Sequence, residues 1–178
     1  QSHLSENLGE IAWVSELCPQ AEFYGDAYDR FGLFGRDHRC IMAHCVHSGE
    51  EEIERMRENG VFIAHSPMSN ANLASGVAPV SKYLACGRKV GLASDMAGGE
   101  TENLFRVMAD AIRDSKLRWR LLDQSFAPLT IDQVFYIATL GGGSFFGKVG
   151  SFAEGYELDA VVLDDTALDH PQELTLRA

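Results

Sequence analysis

The sequence is short of positive charge and has no long apolar run. Its 178 residues carry 15 lysines and arginines against 26 aspartates and glutamates, a formal net charge of −11. Such an acidic chain has no basic face for phosphates, which argues against nucleic-acid binding. No apolar run approaches the roughly 18 residues of a membrane span, and no leader-like pattern opens the chain. We therefore expect a soluble cytoplasmic protein without membrane or nucleic-acid partners.

Several common motifs are also missing. The four cysteines form no CxxC pair, so we expect buried thiols and no disulfide framework. The histidines include no HExxH, which excludes a zincin-type site. Residues 142–148 (GGSFFGK) match the GxxxxGK frame of a nucleotide-binding loop. However, Val149 replaces the required Ser or Thr, and the segment follows a predicted helix where such a loop follows a strand.

Strand and helix patterns alternate along most of the chain. Apolar runs followed by polar loops predict strands at 39–44, 61–65 and 89–95. Apolar residues at helical spacing, with breakers or caps at the ends, predict helices at 8–18, 49–60, 77–87 and about 101–122. Residues 66–76 are predicted to be a loop. Because parallel strands need helical crossovers, this succession predicts a parallel α/β architecture.

The reactive side chains lie where these strands end. His44, His65 and Asp95 close the three predicted strands, and His3 has the same phase if a strand precedes it. In a (β/α)8 barrel, active sites are built on this face. A whole barrel takes roughly 250 residues. The three or four units here therefore predict half of a metal-dependent (β/α)8 barrel.

The last part of the chain departs from this rhythm. Residues 130–143 predict a helix with Thr130 as its N-cap and glycines at its end. The segment DAVVL, at 159–163, predicts a strand. We therefore divide the chain into barrel residues 1–150 and residues 151–178, which begin a small β-rich domain.

Histidine and aspartate at strand ends suit a hydrolytic metal such as zinc, although iron or manganese accepts the same ligands. Glu6, three residues after His3, could reach the same cavity and shuttle protons. The alternative for Glu6 is a carboxylate in the first turn of a helix. For His44 and His47 the alternative is that one ring is buried and bonded to backbone while the other is solvated. We prefer this alternative for His47, because it lies beyond the end of the predicted strand. His38 and His170 are predicted to be exposed loop residues.

Five segments carry a resemblance to a known family. They are SHLSEN (2–7), MAHCVH (42–47), IAHSPMSNANLASG (63–76), VGLASDMAGG (90–99) and IATLGGG (137–143). Their order and spacing resemble the C-terminal portion of guanine deaminases in the amidohydrolase superfamily. An aspartate followed by Met-Ala-Gly-Gly is similar to this branch in particular. The resemblance extends to FAEGYELDAVVL, which is similar to the segment that leads from the barrel into a β-sandwich.

The resemblance implies specific roles. His3 and Asp95 would bind one zinc ion, and Asp95 would also accept a proton from the attacking water. Glu6 would be the proton shuttle, and His44 would hydrogen-bond the attacking oxygen. These four residues would also contact the substrate. The implied reaction converts guanine and water to xanthine and ammonia, and the implied assembly is a homodimer.

The resemblance also implies that four polar residues line the rim of the pocket: His65, Ser66, Ser69 and Asn70. The chain departs from the family in one respect, since the 178 residues contain no HxH, the motif that supplies two further metal ligands. We therefore expect this chain alone not to turn over guanine.

Two alternatives remain open at this stage. One is a deaminase of another heterocycle, such as 8-oxoguanine, cytosine or a thioadenosine. The other is a non-catalytic homologue that has lost its metal. The joint presence of His3, Glu6, His44 and Asp95 argues against the second, because a scaffold has no need of four converging polar groups.

Overall fold

Four parallel strands form one sheet in the computed structural model, which describes residues 1–164. The strands are β1 (Ser2–Leu4), β2 (Ile41–His44), β3 (Phe62–His65) and β4 (Lys89–Leu92). They are adjacent in chain order, and every pair is parallel. The parallel α/β prediction is confirmed. β1 shows that His3 belongs to a strand, which the sequence left conditional.

Within residues 1–164, seven helices, α1 to α7, connect and follow the strands. Their bounds are Leu8–Leu17, Tyr24–Asp29, Glu50–Glu58, Pro67–Asn72, Val80–Ala85, Leu104–Leu121 and Ile131–Tyr136. A π-helical turn, Ile137–Gly141, continues α7. The predicted helices are confirmed with shorter bounds, and α2 was not predicted. The loop prediction for 66–76 is wrong in part, because Pro67 occupies the first turn of α4, where its fixed φ suits a helix.

Local sequence explains two of the helix ends. Glu50, Glu51 and Glu52 lie in the first turn of α3, where they complement the positive end of the helix dipole. At the start of α7, Thr130 accepts from the Gln133 backbone while the Gln133 side chain accepts from the Thr130 backbone. This capping box confirms the predicted N-cap.

The core lies on one face of the sheet. Met42, Ile63 and Val90 are cross-strand neighbours, and all three are buried with Met56 of α3 and Tyr83 of α5. Side chains alternate between faces along a strand. The intervening residues therefore face the other way, and Ala43 and Ala64 line a cleft of about 430 Å³. Asp95, one of the candidate site residues, also borders this cleft.

Two predictions need correction. The strand predicted at 159–163 is absent, and Val161 and Val162 are 82% and 95% exposed. A strand needs a neighbour for its backbone groups, and residues 1–164 place none beside this segment. Cys40 and Cys45 are buried free thiols as expected, but Cys86 is exposed because it caps the short helix α5 at the surface.

Two further expectations concern other parts of the chain. The segment 142–148 directly follows the π-helical turn, so it lacks the strand that precedes a nucleotide-binding loop. Within residues 1–164, no helix combines the length and apolar character needed to cross a membrane. His170 lies outside the described residues.

Candidate active site

The ends of β1 and β2 bring three side chains together. One ligand atom from each of His3, Glu6 and His44 lies within 4.8 Å of the other two. The rings of His3 and His44 meet edge to face, with centroids 5.1 Å apart. His3 is exposed, whereas Glu6 and His44 are buried. Imidazole and carboxylate are donor types that divalent metal ions such as zinc bind.

His44 is the centre of the group. Its Nε2 atom lies 3.7 Å from Oε2 of Glu6 and 4.0 Å from Oδ2 of Asp95. Its other ring nitrogen, Nδ1, is hydrogen-bonded to Oδ1 of Asn70 at 2.9 Å. The ring is 2% exposed. His44 therefore presents one nitrogen to two carboxylates and is anchored through the other.

Glu6 lies just before α1. Asn7 is the N-cap of that helix, so the alternative of a first-turn carboxylate is wrong. The Glu6 side chain is buried, and its Oε1 accepts a hydrogen bond from Ser75 Oγ at 2.8 Å. A carboxylate in a dry setting, with one oxygen held and the other near His44, has the placement of a proton-transfer group.

Asp95 follows β4 at a distance of three residues, so the strand prediction extended too far. It does not belong to the three-residue cluster, and reaches the site beside His44. A Cβ on Gly98 would lie 2.8 Å from Oδ2 of Asp95 and 2.4 Å from Oγ of Ser69. Only glycine fits between these two side chains.

The backbone is left-handed at several of these positions. The φ angles are 45° at Ser5, 72° at His44, 47° at Cys45 and 48° at Asp95. Non-glycine residues avoid this region unless the surroundings hold them, and such strain is concentrated at functional sites. The turn after His44 is held by a hydrogen bond that the Cys45 amide donates to the Leu4 carbonyl. The Tyr83 hydroxyl also donates to the Cys45 carbonyl.

The four residues expected to line the rim of the pocket are all buried, and one of them, Ser66, borders the cleft beside Asp95. They are His65, Ser66, Ser69 and Asn70. The reason is helix α4, which folds this segment against the strand ends. Burial, together with the nearby His44, lowers the pKa of His65 to about 3. Its ring is therefore neutral at physiological pH.

The remaining histidines follow the predictions. His47 is exposed, and its Nε2 is hydrogen-bonded to the Ser75 carbonyl at 2.7 Å. The exposure agrees with the solvated ring of the alternative interpretation, which expected the backbone bond at the buried ring instead. His38 is exposed, as expected of a loop residue. Neither residue contributes to the three-residue cluster around His44.

Comparison with known proteins identifies the family of this chain. The sequence profile of the amidohydrolase family matches residues 1–177. The chain belongs to the amidohydrolase family. It is 38% identical to guanine deaminase of Dictyostelium discoideum over 174 residues, which are 96% of this chain and 38% of that protein. The chain thus spans well under half the length of this relative.

Two solved structures have a fold similar to that of this chain. A crystal structure of guanine deaminase from C. acetobutylicum with bound guanine has a TM-score of 0.90 and 52% identity. The match covers 94% of this chain and 40% of that chain. A structure of an adenosine deaminase from Xanthomonas campestris with bound zinc has a TM-score of 0.82 and 25% identity. It covers 98% of this chain and 39% of that chain.

The amidohydrolase site also contains residues whose roles the sequence did not reveal. Ser75 holds Glu6, and Tyr83 holds the turn that follows His44. Glu52 of α3 is buried and accepts from Ser5 Oγ and the Gly25 amide, both at 2.7 Å. The only signal for Glu52 was its position among the acidic residues of a helix start, which is ordinary.

Proposed function

We propose that this chain is a catalytic segment of a metal-dependent amidohydrolase that converts guanine and water to xanthine and ammonia. The observation that carries the proposal is the convergence of Glu6 and Asp95 on one nitrogen of His44, with His3 alongside. Similarity to guanine deaminases, one of them with guanine in its active site, selects the substrate.

The barrel assignment belongs to this proposal. We assign residues 1–150 to the second half of a (β/α)8 barrel and 151–178 to the start of a β-sandwich domain. Support comes from four adjacent parallel strands whose carboxyl ends carry the reactive groups. A sheet of this kind has two open edges, which further strands would close. The share of the relatives that the chain spans is consistent with this.

The donor set fits a divalent metal. Neutral imidazole and carboxylate are the ligands that zinc binds in hydrolytic enzymes, and His3 and Asp95 supply one of each on either side of His44. We assign His3 and Asp95 as ligands to one ion, with zinc favoured by the zinc-bound relative and iron as the rival. A bound zinc ion would act as a Lewis acid on the attacking water.

The protein side chains then divide the proton transfers. Asp95 accepts a proton from the attacking water, and Glu6 protonates the purine ring nitrogen next to the attacked carbon. A C–O bond forms. Glu6, now a carboxylate, takes the remaining proton of the added hydroxyl and passes it to the exocyclic amine as the C–N bond to that amine breaks. The proton on Asp95 then returns to Glu6, so both carboxyl groups regain their starting states. His44 Nε2 hydrogen-bonds the attacking oxygen. The 3.7 Å and 4.0 Å separations around this nitrogen support the assignment.

The test is a substrate panel on the natural polypeptide that carries this chain. Ammonia release and ultraviolet spectra would be followed with guanine, 8-oxoguanine, cytosine and a thioadenosine, and metal content would be measured on the same sample. We expect turnover of guanine with zinc bound, and elution as a homodimer. The 178 residues alone should be inactive, because they lack the HxH ligands.

A matched control makes the result specific. His38→Gln removes an exposed loop histidine away from the cluster and should leave turnover unchanged. Turnover of another heterocycle with none of guanine would establish the rival deaminase. A metal-free protein without activity on the whole panel would support the non-catalytic homologue.

A further inference from the structure

Asn70 contacts the site through a hydrogen bond to His44. It lies on α4, is 1% exposed, and its Oδ1 is 2.9 Å from Nδ1 of His44. We infer that Asn70 is the positioning residue of His44, holding the proton on Nδ1 so that Nε2 faces Glu6 and Asp95. This inference rests on the proposed function for its catalytic consequence and on geometry alone for the hydrogen bond.

The chemistry of the contact sets the tautomer. An amide oxygen only accepts hydrogen bonds, so the Nδ1 atom that meets it must be the donor. In a histidine, the hydrogen bond made by one nitrogen determines the state and direction of the other. With Nδ1–H engaged by Asn70, the nitrogen turned toward Glu6 and Asp95 is Nε2.

A second observation indicates that Asn70 is more than packing. Its Nδ2 group is buried and has no hydrogen-bond partner within residues 1–164. Buried donors without partners are rare in folded proteins. A leucine would fill a similar space without burying an unpaired hydrogen-bond donor. The side chain of Asn70 therefore contributes through its oxygen, which is hydrogen-bonded to His44.

The backbone of Asn70 extends its influence to Glu6. Its carbonyl accepts the Ser75 amide at 2.8 Å, and its own amide donates to the Ser66 carbonyl at 3.0 Å. Ser75 in turn donates its hydroxyl to Glu6. One buried residue thus anchors His44 through its side chain and Glu6 through the following turn. Substitution of the side chain should affect mainly the His44 branch.

The experiment compares Asn70→Asp, which keeps an acceptor oxygen, with Asn70→Leu, which removes it. Histidine ¹⁵N shifts would be recorded at alkaline pH on the metal-free natural polypeptide that carries this chain, and His44→Gln would assign the signal. We expect His44 to be protonated on Nδ1 in the wild type and in Asn70→Asp, and to lose that preference in Asn70→Leu. Guanine turnover should fall about 10- to 100-fold in Asn70→Leu and be rescued largely by Asn70→Asp.

Several outcomes are decisive. A wild-type His44 protonated on Nε2, or an Asn70→Leu variant with unchanged His44 shifts, overturns the inference whether or not the protein is active. If Asn70→Leu does not fold, Asn70→Ala replaces it with the same expected shift change. Gln124→Leu, an exposed amide substitution, should leave both readouts unchanged. Correct shifts in a protein without guanine turnover would reject the proposed function and leave the inference intact.

Discussion

The Nε2 atom of His44 lies 3.7 Å from Oε2 of Glu6, although Glu6 follows β1 and His44 ends β2. The contact depends on the register of β1 and β2, in which Leu4 pairs with His44. Glu6 comes two residues after that pair and His44 belongs to it. The parallel pairing therefore brings an acid and an imidazole to one point, and the predictions below test what each contributes.

Glu6→Gln should abolish most of the guanine turnover. Glutamine keeps the size and an acceptor for Ser75, but it cannot exchange protons. General acid–base groups typically contribute about 10²- to 10⁴-fold to a rate, and we expect a loss of kcat in that range. Steady-state kinetics on the natural polypeptide measures it. Glu16→Gln, on the exposed side of α1, is the control and should be fully active.

The same pair of variants separates catalysis from folding. Urea unfolding of Glu6→Gln should differ little from wild type, since the hydrogen bond from Ser75 persists. A loss of activity accompanied by an equal loss of folded protein would show that Glu6 is a structural carboxylate. Full activity in Glu6→Gln would remove it from the mechanism altogether.

Ser75→Ala should weaken the same site indirectly. It deletes the 2.8 Å hydrogen bond to Oε1 of Glu6 and leaves a buried carboxylate oxygen without that donor. Loss of a hydrogen bond to a charged group costs about 1.5–3 kcal/mol of stability. We expect a lower urea midpoint and a smaller loss of kcat than in Glu6→Gln. Ser15→Ala on α1 is the exposed control, and equal midpoints for the two alanine variants would refute the prediction.

Much of the sheet was predictable because its strands are short apolar runs that end in reactive residues. His44 and His65 close β2 and β3 as predicted, and Thr130 caps α7. β1 could not be predicted from three residues, because its existence depends on pairing with β2. The strand predicted at 159–163 fails for the same reason. Its backbone groups need a neighbouring strand to bond to, and apolar composition alone does not provide one.

The convergence of the candidate residues was predictable, and the residues that support them were less so. His3, Glu6 and His44 converge as the resemblance implied, because strand ends of a parallel sheet meet at one edge. Asn70 and Ser75 lie in a segment rich in Asn, Ser and Gly, which is typical of a loop. Helix α4 buries that segment through tertiary contacts, which local propensity does not encode.

His65 should make stability depend on pH. Its pKa is lowered to about 3 in the folded state, against about 6.5 when unfolded. Between these values the unfolded chain binds a proton that the folded chain does not. The contribution of His65 to the free energy of unfolding is therefore full above about pH 6.5. It falls as the pH drops, by at most about 1.4 kcal/mol per pH unit.

The His65 contribution is isolated by difference. Burial and Asp110 raise the pKa of Asp114 to about 6, which gives the opposite slope as the pH rises from about 4 to 6. Urea unfolding at several pH values should therefore compare wild type with His65→Gln. The wild type should lose more stability than the variant between pH 6.5 and 5. Parallel curves for the two proteins would contradict the lowered pKa of His65.

Tyr83→Phe tests the support of the strained turn after His44. The Tyr83 hydroxyl is buried and donates to the Cys45 carbonyl, while His44 and Cys45 both have positive φ. Phenylalanine keeps the packing but leaves that carbonyl without this donor, which should cost about 1–3 kcal/mol of unfolding free energy. We also expect reduced guanine turnover, because the turn that fixes the His44 ring is less well held. Tyr136→Phe, at a half-exposed ring, is the matched control. If Tyr83→Phe and Tyr136→Phe unfolded at the same urea concentration as wild type, the hydroxyl of Tyr83 would have no part in holding the turn.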